Sequence, residues 1–214
     1  MIKLSKPSKM PCNSWSLEAL TTCPASLQDD GELVPACQGC YATTGFYNMP
    51  VVKDLRVHNK EDWKRDGWVE EMVGLLTKST FFRWFDSGDV YDKRLAVKIL
   101  EVMARTPLTK HWLPTRMHKF IKFKGVFHEM EILHNVVVRY SSDSITGELI
   151  DGLNSSTILP YIDTPTTATV CEAYERGGKC GDCRKCWDKD TKIIAYPMHG
   201  KKGMKMIALL EVLT

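Results

Sequence analysis

The 214-residue sequence predicts an α/β fold: a mostly parallel sheet with flanking helices, curled into a partial barrel. Three observations point there. Short apolar or β-branched runs alternate with stretches whose apolar residues recur at helical spacing. Polar residues suited to chemistry cluster just after the strand-like runs, where parallel sheets bind ligands. The composition, 43% hydrophobic and 26% charged, lets a chain of this length bury a full core, so 1–214 reads as a single domain.

Residues 1–22 read as an extended lead-in, because Pro7, Pro11 and the Ser, Asn and Thr content oppose a long helix. Cys12 has no ligand-like neighbour in that segment and reads as a small buried thiol. Residues 23–50 form a cysteine-bearing loop with a turn at Asp29, Asp30 and Gly31. After Pro50, a stripe of Trp63, Trp68, Met72, Leu75 and Leu76 predicts helix over 60–77. Phe81–Phe85 predicts a buried strand running into Asp86, Ser87, Gly88 and Asp89. Ala96, Ile99, Leu100 and Met103 predict a helix over 92–105, with Asp92 as its N-cap. His111–Arg116 reads as a strand, Met117–Lys124 as helical, and Asn135–Tyr140 as the clearest strand of the chain. The stretch 141–167, rich in Ser, Thr, Pro and Gly, reads as a long functional or mobile loop. Ala168–Cys171 and Lys192–Tyr196 are strand candidates, and Met206–Leu213 either closes the sheet or caps it with a helix.

Seven of the eight cysteines fall into two groups, on segments 23–40 and 171–187. The first is Cys23, Cys37 and Cys40; the second is Cys171, Cys180, Cys183 and Cys186. Two-residue gaps let the backbone turn so that successive sulfurs face one centre, as in zinc knuckles and iron–sulfur loops. Gly39 would let a backbone amide approach a sulfide. The triple spacing of Cys180, Cys183 and Cys186 matches the CxxCxxC run of ferredoxins, with Cys171 as a fourth ligand, and favours a 4Fe–4S cluster. Zinc is the alternative: Cys37 and Cys40 paired with Cys183 and Cys186 make a tetrathiolate site. Lys179, Arg184 and Lys185 beside the sulfurs are expected to lower the thiol pKa. His199 reads as a structural histidine or as a ligand.

The formal net charge of +3 permits nucleic-acid contact without arguing for it. One stretch, 105–124, interleaves Lys110, His111, Arg116, His118, Lys119, Lys122 and Lys124 with Trp112, Phe120 and Phe123, a pattern suited either to single-stranded nucleic acid or to a solvated basic helix face. No run approaches the length of a membrane span, and clustered thiols fit a reducing cytoplasm, where they hold metal rather than form disulfides. The sequence has no Walker loop, no GxSxG and no GxGxxG, and its acids suggest no hydrolytic pair.

The order Lys9, Met10, Pro11; Thr22, Cys23, Pro24; Cys37, Cys40, Tyr41, Ala42; Gly45, Tyr47, Pro50 resembles the gene-product-88 family of phage and plasmid proteins. So do Phe82–Asp89, Lys110–Arg116, Val137–Arg139 and Cys180–Trp187, so the likeness covers nearly the whole chain. That resemblance implies a phage-type protein working in the host-cell cytoplasm. A second resemblance is to radical S-adenosylmethionine enzymes, which pair an N-terminal cysteine loop with a partial α/β barrel. It implies that Cys23, Cys37 and Cys40 hold a 4Fe–4S cluster with one open iron. Ser87, Gly88 and Asp89 would then hold the amino group of S-adenosylmethionine, and Ser141, Ser142 or Asp143 would meet its ribose. Thirteen residues separate Cys23 from Cys37, in place of the usual CxxxCxxC spacing. The thiols could share one cluster or divide between two. The alternative is a non-catalytic, metal-stabilised module that binds nucleic acid or protein.

Overall fold

The computed structural model, which describes residues 1–213, is an α/β fold on one seven-stranded sheet. The strands are β1 (Ser14–Trp15), β2 (Phe81–Trp84), β3 (Lys110–Thr115), β4 (Val136–Ser141), β5 (Ser155–Leu159), β6 (Thr169–Val170) and β7 (Ile193–Pro197). They lie in the order β1-β2-β3-β4-β5-β7-β6, and each neighbouring pair is parallel. The sheet is open, with β1 and β6 at its edges.

Among the described residues six helices accompany it: α1 (Pro35–Gln38), α2 (Pro50–Asp62), α3 (Trp68–Leu76), α4 (Lys93–Arg105), α5 (Lys124–Ile132) and α6 (Gly200–Leu213). Helices α3, α4 and α5 link successive strands and cover one face. Phe82, Trp84, Leu113, Val136 and Val138 meet Trp68, Met72, Leu76, Leu95, Ile99, Met103, Phe127 and Met130 there in one buried cluster. Each fully buried large side chain contributes about 1.5–3 kcal/mol. Helix α4 starts as expected, because the Asp92 carboxylate accepts from the Arg94 backbone N–H at 2.7 Å.

Strand side chains alternate between faces. Phe81, Arg83 and Trp112 therefore point away from the helices. That second face is covered by the chain's own ends: Met10 and Cys12 from the lead-in, and Trp187 with Cys180 and Cys186 from the C-terminal cysteine segment. Trp187 is pinned by its indole N–H, which donates to the Phe82 carbonyl at 2.9 Å.

Several expectations need correction. The stripe over 60–77 is split between α2 and α3, because Gly67 (φ 75°) breaks the helix, and Leu75 is exposed. Met117–Phe123 forms two short 3-10 turns before α5 begins. The stretch 141–167 contains a strand, β5, whose Ser155, Ser156 and Thr157 are buried between β4 and β7. The basic and aromatic residues of 105–124 divide between core and surface. His111, Trp112 and Phe123 are buried, Arg116 and Lys119 bind Asp143, and Arg105 binds Glu70 and Glu101. Lys110, Lys122 and Lys124 are exposed, and Lys122 Nζ lies over the Phe120 and Phe123 rings, 5.8 and 5.4 Å from their centroids. Among the described residues no helix is long and apolar enough to cross a membrane.

His111 shows how the polar core is satisfied. Its Nδ1 accepts from Trp84 Nε1–H at 3.3 Å, so the proton sits on Nε2 and is donated to Thr106 Oγ1 at 2.9 Å. The Thr106 hydroxyl passes on to the Val102 carbonyl at 2.7 Å. Burial drives the His111 pKa down to about 3. The unfolded chain therefore binds a proton that the folded chain refuses between about pH 6.5 and 3, and stability falls as pH drops through that window. Lowering the pH from 7 to 5 should cost about 2 kcal/mol through this residue. Urea unfolding of His111→Gln against wild type is expected to show a shallower pH slope; equal slopes would contradict this assignment.

Candidate functional site

Each cysteine group is positioned by a short, strongly hydrogen-bonded segment. In the first, Cys23 precedes a 3-10 turn at Pro24–Ser26, and the Ser26 hydroxyl donates to the Cys23 carbonyl at 2.6 Å. Cys37 rides on α1, whose start is tied to the loop after β4 by Ala36 N–H to the Asp143 carbonyl at 2.9 Å. Cys40 follows one turn later. Gly39 lines the cleft, and a Cβ there would meet Met206 Sδ of α6 at 2.8 Å.

In the second group, Cys171 leaves β6 with its N–H on the Ala195 carbonyl at 2.8 Å. Gly177 and Gly178 (φ 62° and 77°) turn the chain back, and Cys180 N–H reaches the Lys9 carbonyl at 2.8 Å, which joins the two ends of the chain. Cys183 N–H returns to the Cys180 carbonyl at 3.1 Å, and Cys186 Sγ lies 3.5 Å from the Tyr196 hydroxyl.

The two groups open onto one cleft of about 430 Å³ at the carboxyl ends of the strands. Cys23, Cys37, Cys40, Cys171, Cys180 and Cys186 line it; Cys183 does not. All eight cysteines are free thiols. Among the described residues no three His, Cys, Asp or Glu side chains gather closely enough to hold a metal ion. The thiols share a cleft, but their sulfurs are not drawn together to ligand distance. Their mutual electrostatics follow the two groups. Cys23 is influenced by Cys37 and Cys40, while Cys180 is influenced by Cys171 and Cys183.

Burial raises the pKa values of Cys12, Cys23, Cys37, Cys180 and Cys186, contrary to the expected lowering by basic neighbours. Cys186 is pushed up to about 11 by desolvation, opposed by its Tyr196 hydrogen bond, Arg139 and Arg83. Cys180, Cys37 and Cys23 are also raised, chiefly by burial. Cys12, buried as expected, is raised to about 11 and lies close enough to Cys180 to feel its charge. Lys9 and Arg83 weigh on Cys180, and Arg139 and Arg83 on Cys186.

A family model described as Gene product 88 matches residues 2–189. The chain belongs to the Gene product 88 family. No curated protein and no solved structure matches it. The family span includes every cysteine and ends just before β7 and α6.

Within this Gene product 88 chain, Ser87, Gly88 and Asp89 lie on the cleft wall, where their polar atoms already have partners. The Ser87 hydroxyl donates to the Leu17 carbonyl at 2.7 Å and accepts from Arg56 Nε. The Asp89 carboxylate accepts from Thr115 Oγ1 (2.7 Å), Arg116 N–H (2.8 Å) and Val90 N–H (2.7 Å). It stitches the loop after β2 to the loop after β3. Ser141 and Ser142 also line the cleft, and Asp143 is paired with Arg116 at 3.2 Å and with Lys119. His199 borders the cleft between Tyr41 and Tyr174, and burial lowers its pKa.

Asp86, expected at the end of the strand, is a hub: it binds Ser16, its Oδ2 accepts from the Tyr47 hydroxyl at 3.2 Å, and it pairs with Arg56 at 3.6 Å. Tyr41 donates to its backbone carbonyl at 2.6 Å. The sequence reading did not single out Arg83, Phe85 or Leu20 on the cleft. Arg83 lies over the Trp112 ring, 4.4 Å from its centroid. An arginine inside an aromatic strand was the available signal, since buried charges need partners. Phe85 and Leu20, both on the cleft, hold left-handed φ angles of 55° and 65°, conformations that non-glycine residues keep where surrounding structure enforces them.

Gly88 (φ 75°) is fixed by close approach: a Cβ would lie 2.7 Å from Leu17 Cβ and 2.8 Å from the Leu17 carbonyl carbon. Gly88→Ala is expected to destabilise the fold by about 2 kcal/mol or more in urea unfolding. A change below about 0.5 kcal/mol would contradict this packing.

Proposed function

We propose that this Gene product 88 chain binds two thiolate-ligated iron–sulfur clusters of the 4Fe–4S type at the shared cleft. Cys23, Cys37 and Cys40 would hold one, and Cys171, Cys180, Cys183 and Cys186 the other. The observation that carries the reading is the cleft itself: six free thiols from two distant segments face one cavity at the carboxyl edge of a parallel sheet. The donor set is soft and anionic when deprotonated, which suits iron–sulfur or zinc and does not suit hard cations. The electrostatic grouping of the thiols supports two centres rather than one shared cluster.

The desolvated thiols resist ionisation on their own, so a metal core that binds thiolate is what would make the deprotonated state favourable. A three-thiolate cluster leaves one iron open, and bound S-adenosylmethionine could supply redox or radical chemistry there. The chain's own contribution is a walled, largely apolar cavity. Ser87, Gly88 and Asp89 line the side formed by the loop after β2, and Ser141 and Ser142 the side formed by β4 and its loop. Ser87 and Asp89 are held by protein contacts, so a ligand on that side would meet their remaining lone pairs and the Gly88 backbone.

Anaerobic reconstitution followed by iron and sulfide assay tests the reading. About eight iron per chain are expected, falling to about four in Cys23→Ser/Cys37→Ser/Cys40→Ser. Electron paramagnetic resonance of the reduced protein should change on adding S-adenosylmethionine, and that change should vanish in the same triple variant. About four iron, lost on altering either cysteine group, would mean one shared cluster and contradict the two-centre reading. Zinc without sulfide would instead assign a non-catalytic, metal-stabilised module.

A further inference from the structure

A second cavity, of about 420 Å³, lies at the other edge of the sheet from the thiols. Phe81 and Lys110, the first residues of β2 and β3, line it with Asn135, just before β4, so it opens at the amino ends of the strands. Its other wall comes from the C-terminal cysteine segment, between Arg184 and Lys189. The volume falls in the range of small-ligand sites, about 300–1,000 Å³.

Four cations line this cavity, Lys110, Arg184, Lys185 and Lys189, against one carboxylate, Asp188. The surplus of three positive charges equals the formal net charge of the whole chain. Among the described residues none of the four lies within ion-pair distance of a carboxylate, whereas Arg65, Arg94, Arg105 and Arg176 elsewhere on the surface each have one. Asp188 is engaged in its own loop, where it accepts from the Thr191 hydroxyl at 2.7 Å and the Asp190 N–H at 3.1 Å. Glu131 and Lys192 act on Lys189 from outside the cavity, with opposite signs.

Two of the cations hold the wall. Arg184 Nη1 donates to the Gly181 and Cys183 carbonyls at 2.6 and 2.9 Å, and Lys189 Nζ donates to those of Glu131 and Leu133 at 2.6 and 2.5 Å. The other two, Lys110 and Lys185, are exposed, and among the described residues no hydrogen bond holds either ammonium. Like charges gathered on a concave wall repel one another, and the wall focuses their field on whatever enters. An anion relieves the repulsion. Aromatic surface stands beside the charge: Arg184 lies over the Phe81 ring, 5.2 Å from its centroid, and Trp187 packs edge-on against that ring at 5.4 Å. Cations next to aromatic and guanidinium planes suit a phosphate that carries a base.

We propose that this cavity binds the phosphates of a nucleotide unit, supplied by a free nucleotide or by a single strand, with Lys110 and Lys185 as the phosphate contacts. The site goes beyond the iron–sulfur reading and stands or falls without it.

The test titrates the full-length protein with ATP and with a labelled oligothymidylate of about 15 nucleotides, at about 50 mM salt. Lys110→Gln/Lys185→Gln is expected to weaken binding at least about tenfold. For the strand it should also flatten the slope of log K against log salt by about 1.4, at about 0.7 per lost phosphate contact. Lys122→Gln/Lys124→Gln removes two exposed lysines outside the cavity and should stay within about twofold of wild type. A strand held at least about tenfold more tightly than ATP assigns the phosphates to nucleic acid, and comparable affinities assign them to a free nucleotide. Equal weakening by the two double variants would mean diffuse surface charge and overturn the proposal. So would a wild-type protein that binds neither probe.

Discussion

A parallel sheet must be covered on both faces, because its strands are apolar on both. This chain covers one face with the crossover helices α3, α4 and α5 and the other with its own ends. The lead-in supplies Met10 and Cys12, and the C-terminal cysteine segment supplies Trp187. The anchors are specific: Trp187 on the Phe82 carbonyl, Cys180 N–H on the Lys9 carbonyl, and Arg139 under the carbonyls of Lys185 and Asp188. The same burial that completes the fold therefore carries the second cysteine group to the carboxyl edge. The first group arrives there because the loop after β1 runs over the Asp86–Asp89 loop, held by Ser16, Leu17 and Thr22.

Polar groups along this edge are mostly consumed in holding it together. Asp89 joins two strand-end loops, and Asp86 gathers Ser16, Tyr47 and Arg56. What remains on the cleft wall is a set of free thiols.

The strands and helices with strong periodicity were legible in the sequence. Phe81–Trp84, the Asp92-capped helix and Val136–Tyr140 stand where patterning put them, because burial on one or both faces fixes such segments. β5 was not legible: Ser155, Ser156 and Thr157 carry no apolar signal, and their burial comes from neighbours distant in sequence. The split at Gly67 shows a single left-handed residue overriding an apolar stripe. The two cysteine groups were visible by spacing alone, and so was Cys12 as a buried thiol. The charges that act on them were not, since Lys9, Arg83 and Arg139 lie far away in sequence and reach the sulfurs only through the sheet. In the basic stretch at 105–124, neighbours in sequence face different surroundings.

The proposed function requires that sulfurs facing one cleft bind inorganic iron and sulfide. Iron K-edge X-ray absorption on anaerobically prepared protein reads this directly. Thiolate clusters predict a sulfur shell at about the distance of a metal–thiolate bond, near 2.3 Å, together with a second shell of neighbouring iron. An iron edge with a nitrogen and oxygen shell and no iron neighbour, or a sample free of iron, would contradict the account.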